Sequence, residues 1–390
     1  MRRIYLDQNA TTPLAPEALA AMLPFLSGGY EGRFGNPSSL HADGRDAQAA
    51  VDDARVRLAA LLGGHPRDLI FTGGGTEADN LAVIGLARAR VRAGSQRHVI
   101  TSQIEHHAVL HAADFLERHE GFRVTRLPVD GRGIIDPEAL RGALTGGTAL
   151  VSLQSANNET GTIQPIGELA ALCRENGVPF HSDTVQSFGK QPVRVDTPGA
   201  PDAISLAAHK FYGPKGTGAL WVRPGLKPDA ILFGGAQEGE RRPGTESPAL
   251  LAGMATAAEL AVNALPTETP RLAALRDRLW MGIAAHFPAA ARNGAWETPA
   301  LQLANTLNVS FPGVDGETLL IHCDLEGLSV SGGSACMAGS QQPSHVLLAM
   351  GRTLETARAS LRFSLGKGTD EADIDAALER LAKIFARLKP

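Results

Sequence analysis

Short apolar runs punctuate the chain at 69–71 (LIF), 98–101 (HVIT), 149–153 (ALVSL), 178–183 (VPFHSD), 203–207 (AISLA) and 218–222 (GALWV). Runs of this length predict buried strands. Apolar positions at helical spacing predict helices at 47–62, 77–92, 105–118, 167–176 and 248–263. Strand and helix alternating in this way predict an α/β fold whose large domain has a mainly parallel central sheet wrapped by helices.

The segment ALPTETP, 264–270, brings prolines and polar residues and marks a domain boundary. Beyond it the pattern predicts a helix at 271–286, a strand LNVSF at 307–311, a helix at 316–326 and a strand SLRFSL at 360–365. A last helix, 370–388, spaces Ile374, Leu378, Leu381, Phe385 and Leu388 along one face and should pack on a small sheet. The expected division is a large domain, 16–265, and a smaller α+β domain made of 1–15 and 266–390, which carries a loop at about 329–344.

Composition narrows the function classes. A chain of 390 residues, 43% apolar, can bury a sizeable core in two lobes. Its net charge of −4, with no basic run, gives a nucleic-acid partner no electrostatic support. No apolar stretch approaches the roughly 20 residues of a membrane span, and MRRIYLDQNATTP lacks a signal-peptide core. A soluble cytoplasmic protein, bound to neither membrane nor nucleic acid, is expected. Cys173, Cys323 and Cys336 show no CxxC spacing, so neither a metal site nor a disulfide scaffold is expected.

Candidate chemistry lies at the ends of the predicted strands. Lys210, in AAHKFYGPKG, follows an apolar run and precedes a glycine-rich turn; Asp183, in HSDTVQ, ends the preceding run. An amine and a carboxylate so placed match what pyridoxal phosphate needs: a lysine to bind its aldehyde as a Schiff base and a carboxylate to keep its ring nitrogen protonated. A plain surface lysine is the alternative. FTGGGTEADN, 71–80, runs from strand through three glycines into a helix near Thr76, where unpaired N–H groups suit a phosphate, or where the turn serves packing alone. The glycine–lysine pairs at 189–190 and 366–367 lack the following Ser or Thr of a nucleotide-binding loop.

His106 and His107 open a helix after a strand, as ring-stacking groups or as ordinary helix-terminal residues. Asn157 and Asn158 sit at the same sheet edge, as ligands or turn residues. Arg362, among apolar neighbours, suits either a substrate carboxylate or a structural ion pair. Cys336, in SVSGGSACMAGSQQPS, is surrounded by small residues that would neither bury nor hold it. It reads as a mobile nucleophile or as a small residue in a loop. Cys173 and Cys323 read as core.

The motifs LDQNATTP, GGGTEADN, EHHAVL, NNETG, DTVQSFGK, HKFYGPKG, RRPGT, SGGSAC and LRFSLG occur in that order over nearly all of the chain. In this the chain resembles the cysteine desulfurases of the nitrogen-fixation and iron–sulfur-cluster type, which are class V aminotransferase-like, fold type I pyridoxal phosphate enzymes. The resemblance implies that Lys210 carries the cofactor, Asp183 pairs with its ring nitrogen and Gln186 meets its phenolic oxygen. It implies that Gly75, Thr76 and His209 hold the phosphate, that Thr245 reaches it from the partner subunit of a homodimer, and that His106 stacks on the ring and handles the substrate thiol proton. Asn158 and Arg362 would bind the carboxylate of L-cysteine, and Cys336 would take its sulfur, leaving L-alanine. An acceptor such as an iron–sulfur scaffold or thiolation protein would then receive the sulfur. Two positions depart from the family: Ala207 stands where a phosphate-binding serine is common, and Ser155 where many relatives carry a histidine. Selenocysteine cleavage, transamination, or an inactive cofactor-holding partner protein are the alternatives on the same scaffold.

Overall fold

The computed structural model describes residues 2–332 and 343–388. In chain order its strands are β1 (Ile4–Tyr5), β2 (Leu69–Thr72), β3 (His98–Ser102), β4 (Arg123–Leu127), β5 (Leu150–Ser152), β6 (Phe180–Asp183) and β7 (Ala203–Ala207). Then come β8 (Gly218–Val222), β9 (Ala291–Asn293), β10 (Thr306–Ser310), β11 (Leu328–Ser329), β12 (Ser331–Gly332) and β13 (Ser360–Ser364).

Seven strands form the central sheet, in the order β2-β8-β7-β6-β5-β3-β4. Strand β8 is antiparallel to both neighbours, and the other pairs are parallel. Strands β2, β3, β5, β6, β7 and β8 are buried along their whole length, which is why they appear in the sequence as unbroken apolar runs. Because β2, β3, β5, β6 and β7 run the same way, the residues that follow them gather at one edge of the sheet.

A second sheet, β12-β13-β10-β9, is antiparallel. Leu307, Val309, Phe311, Leu361 and Phe363 pack there against Ile374, Leu381 and Phe385 of the Glu371–Leu388 helix. Strand β1 pairs with β11, and Ile4 and Leu6 enter the same core. The N-terminal segment then leaves this core, with Asp7 bridged to Ser364, and crosses to the edge of the large sheet.

The expected break at 264–270 is absent: Pro248–His286 is one helix of 39 residues, with Pro266 and Pro270 inside it. Its first half buries Leu251, Met254 and Ala258 in the core of the large sheet, and its second half buries Leu275, Leu279 and Ile283 in the small one. Burial at both ends outweighs the roughly 3 kcal/mol that each internal proline costs a helix. This helix is also long and apolar enough to cross a membrane by length and composition, contrary to the expectation from the sequence. Here its apolar side chains pack into the two cores instead.

Candidate active site

Between the two sheets lies a cavity of ≈ 260 Å³. Gly75, Thr76, His106, Asn158, Asp183, Gln186, His209, Lys210 and Arg362, each expected from the sequence, all line it. Their convergence follows from topology: Gly75 and Thr76 follow β2, His106 follows β3, Asn158 follows β5, Asp183 ends β6, and Lys210 follows β7.

Lys210 lies in a single 3₁₀ turn, Ala208–Lys210, directly after β7. Its Nζ donates to the backbone carbonyls of Asn9 and Ala10, each at 2.8 Å. The N-terminal segment therefore closes the cavity over the amine. Thr12 secures that segment, since its N–H and Oγ1 both donate to the carbonyl of His209, at 2.9 and 3.0 Å.

At the glycine-rich end, Gly74 adopts φ +152°, a conformation that side chains rarely allow, and turns the chain into the helix that opens at Gly75. The carboxylate of Glu77 accepts from the N–H of Gly73 at 2.7 Å and pairs with Arg242 Nε at 2.8 Å, which holds the turn from outside. His209 Nδ1 lies 3.2 Å from Thr11 Oγ1. Ala207, on the cavity wall, contributes only a methyl group.

Three carboxyl groups lie deep in this region. Asp183 accepts from the N–H of Val185 at 2.8 Å; burial pushes its carboxyl up to about 6, with that N–H and Lys210 restraining the rise. Asp79 is held well above the usual carboxylate range by burial and by Asp183. Its Oδ1 has no hydrogen-bond partner among the described residues. Glu105 accepts from the N–H of Gln154 and from Ser102, and burial pushes it up to about 8. Of the three, Asp79 and Asp183 line the cavity, and Asp183, charged above about 6, is the group that suits a cationic ring nitrogen.

His106 caps the His107–Glu120 helix, its Nδ1 accepting the N–H of Ala108 at 3.1 Å. Burial, then the nearby Lys210, pushes its pKa down to about 4, so the ring is neutral at pH 7 with its proton on Nε2. Arg362, in β13, is 2% exposed. One Nη donates to the carbonyl of Asn158 at 3.1 Å and the other to Asp7 Oδ1 at 2.8 Å, while Nε lacks a hydrogen-bond partner among the described residues. The two readings of Arg362 thus coexist: it makes an ion pair and also borders the cavity.

Among the described residues, one expected site residue does not line the cavity. Thr245 is exposed and does not line it in the single chain. Cys336 lies outside the described residues. Ser155, the position where relatives carry a histidine, is buried beside the cavity wall, donating to the carbonyl of Asp183 at 3.2 Å and meeting Ser187 Oγ at 2.5 Å. Cys173 and Cys323 are buried free thiols, as expected, both pushed up to about 12 by burial.

Sequence reasoning did not single out Asn9, Asp79, Glu105 or Lys190. Asp79 had a signal, an acid on the buried side of a helix between Ala78 and Leu81. Asn9 belongs to a polar run with no periodicity, so only the fold reveals its position.

The donor set fits pyridoxal phosphate. Lys210 is an amine for the aldehyde, Asp183 and Asp79 face the cavity as acids, Gly75, Thr76 and His209 lie at its glycine-rich end, and His106 supplies a neutral ring on the wall.

The chain matches the aminotransferase class-V family over residues 4–377. It is 45% identical over 388 residues to "Cysteine desulfurase IscS" of Dictyoglomus turgidum, covering 100% of this chain and 96% of that one. Its fold is similar to that of a "NIFS-LIKE PROTEIN", with a TM-score of 0.90, 34% identity and coverage of 99% of this chain and 100% of the other. It is also similar to the structure titled "SspA in complex with cysteine", with a TM-score of 0.79, 36% identity and coverage of 93% and 98%.

Proposed function

The chain belongs to the aminotransferase class-V family, and from that premise we propose that it is a cysteine desulfurase, taking sulfur from L-cysteine and releasing L-alanine. The observation that carries this reading is the single cavity wall shared by Lys210, Asp183, His106, Asn158 and Arg362. The family depends on pyridoxal phosphate, which when bound supplies a sink for the electrons released at the substrate Cα.

Each residue then has a task. Lys210 Nζ holds the cofactor and afterwards takes the Cα proton. Asp183, aided by Asp79, keeps the inner end of the cavity acidic. Gly75, Thr76 and His209 hold the phosphate, and Gln186 the phenolic oxygen. Arg362 and Asn158 orient the substrate carboxylate, and the neutral His106 ring would stack on the cofactor. A bond forms between Cys336 Sγ and the substrate sulfur as the C–S bond breaks; carbon keeps the electron pair and is protonated to alanine, leaving a persulfide on Cys336.

The flanks of the segment bearing Cys336 support its role. On one side Ser331 donates to Asp7 at 2.8 Å and accepts from Arg362 at 3.2 Å. On the other Ser344 donates to Glu159, next to Asn158, at 2.5 Å. Both anchors lie at the substrate end of the cavity.

A homodimer is part of the same reading. Tyr30, Phe34, Leu40 and Phe233 are 96%, 56%, 89% and 86% exposed in the single chain, apolar surface that a second copy would cover. Thr245 would reach the partner's phosphate site. The sulfur would pass to a scaffold or thiolation protein in the cytoplasm. The division into lobes 16–265 and 1–15 with 266–390 is supported by separate apolar cores at the two ends of the long helix.

The test is an assay with L-cysteine. Wild-type protein should release alanine and gain one sulfur on Cys336, and Cys336→Ala should do neither at the wild-type rate. Alanine and sulfide formed at an unchanged rate by Cys336→Ala would sink the sulfur-transfer step.

A further inference from the structure

Lys190 stands beside Lys210, and the chemistry above gives it no task. Its Nζ donates to Gln186 Oε1 at 2.6 Å and to Asn9 Oδ1 at 3.1 Å. Backbone carbonyls fix which way both amides face. Gln186 Nε2 donates to the carbonyl of Asn9 at 3.0 Å, and Asn9 Nδ2 donates to the carbonyl of Asn158 at 3.1 Å. Each amide oxygen is thereby turned toward Lys190, and Gln186 and Asn9 are only 7% and 1% exposed. Burial, reinforced by Lys210 and Arg362, drives the Lys190 amine toward its neutral form. Charged or neutral, the amine retains at least two N–H donors for the two oxygens.

Asn9 is the joint of this arrangement. Its carbonyl, with that of Ala10, receives Lys210, while its side chain receives Lys190 and, at 3.0 Å, Asn305 Nδ2. We infer that Lys190 is a positioning residue for the cofactor site: it clasps Gln186 to Asn9, holding the carbonyls that seat Lys210 and keeping an amide N–H of Gln186 for the cofactor's phenolic oxygen. The inference rests on the reading of this cavity as the pyridoxal phosphate site.

The test compares wild-type protein with Lys190→Met, which keeps the length of the side chain and removes its donors. Two readings are taken: the affinity of apo-protein for pyridoxal phosphate, and the pH midpoint of the visible absorption of the loaded protein. Both oxygens lose a donor in Lys190→Met, so affinity should fall at least about tenfold. A looser Gln186 N–H stabilises the phenolate less, so the midpoint should move to higher pH. Among the described residues, the other titratable or charged groups around the amines are Lys210, His106, His209, Asp79, Asp183 and Arg362, with Tyr212, Glu268 and Lys367 on the other side of Lys190, and all are unchanged in the variant. If Lys190→Met does not fold, Lys190→Leu, which also lacks donors, is read in the same way. Affinity within twofold of wild type and an unmoved midpoint would overturn the inference. Wild-type protein that takes up no pyridoxal phosphate would instead overturn the reading of the cavity itself.

Discussion

Arg362 and Asp7 lie 355 residues apart in sequence and are joined by a hydrogen bond of 2.8 Å between Nη2 and Oδ1. The pair ties β13 to the segment that carries Asn9 and Ala10 over Lys210. Asp7 thus sets the direction of the guanidinium and the place of the loop together. Arg362→Lys keeps one charge but loses the planar fork, so KM for L-cysteine should rise about 10- to 100-fold with a smaller change in kcat. Turnover of cysteamine, which has no carboxylate, should be far less affected. Equal losses on both compounds would show that Arg362 acts only as an ion pair.

Asp7→Asn should act differently. The buried guanidinium loses its counter-charge, and because Asp7 is itself partly exposed, stability should drop by about 3 kcal/mol, the low end of the range for a broken buried pair. Denaturant titration of apo-protein measures this. An unchanged midpoint would mean that the Asn158 carbonyl and Ser331 hold Arg362 by themselves.

Asp183→Asn removes the carboxylate expected at the ring nitrogen. Catalysis should fall by about 10²- to 10⁴-fold, while the variant still binds the cofactor. In wild-type protein the Asp183 charge is present above about 6 and lost below it. Uptake of pyridoxal phosphate by apo-protein should therefore weaken as the pH falls through that value, and the variant should lack this limb. Titrating uptake against pH in both proteins checks the prediction.

Ala207→Ser tests the departure at the phosphate end. The Ala207 methyl lines the cavity, and its Cβ would lie 3.2 Å from a Cβ built on Gly75, so a hydroxyl there would sit next to the glycine turn. One added hydrogen bond is worth about 1 kcal/mol, so cofactor affinity should improve about fivefold. An equilibrium titration showing no gain would mean that the existing donors already satisfy the phosphate.

Glu105 makes stability depend on pH. Burial raises its folded pKa to about 8, whereas an unfolded glutamate titrates near about 4.3. As the pH rises, the unfolded chain gives up this proton first, so the stability Glu105 contributes is complete below about pH 4 and is lost as the pH climbs through about 8. Glu105→Gln, which keeps a donor toward Ser102 and an acceptor for the N–H of Gln154, should flatten that decline. Melting of apo-protein across this range, compared between the two, is the measurement; parallel profiles would remove Glu105 from the account.

Much of the site was legible because its residues follow strands. Lys210, Asp183, His106 and Asn158 each lie at or just after the end of an apolar run, and parallel pairing carries such positions to one edge without further information. Asn9, Asp79, Glu105 and Lys190 were not legible, because what defines them is a contact across the chain. Asn9 meets Lys190 at a separation of 181 residues and Lys210 at 201. The long helix was misread for a related reason. Pro266 and Pro270 weaken it locally, and only burial at both ends keeps it whole.

By itself the sequence determined which elements form and which chemical groups stand at their ends, since short-range periodicity and turn chemistry act between near neighbours. Tertiary structure alone decided how those groups are tuned. It stripped water from Glu105 and Asp183 and raised their pKa values, drove the His106 ring to neutrality, and closed the N-terminal segment over Lys210. Desolvation and long-range hydrogen bonds depend on what surrounds a residue in space, which no local pattern encodes.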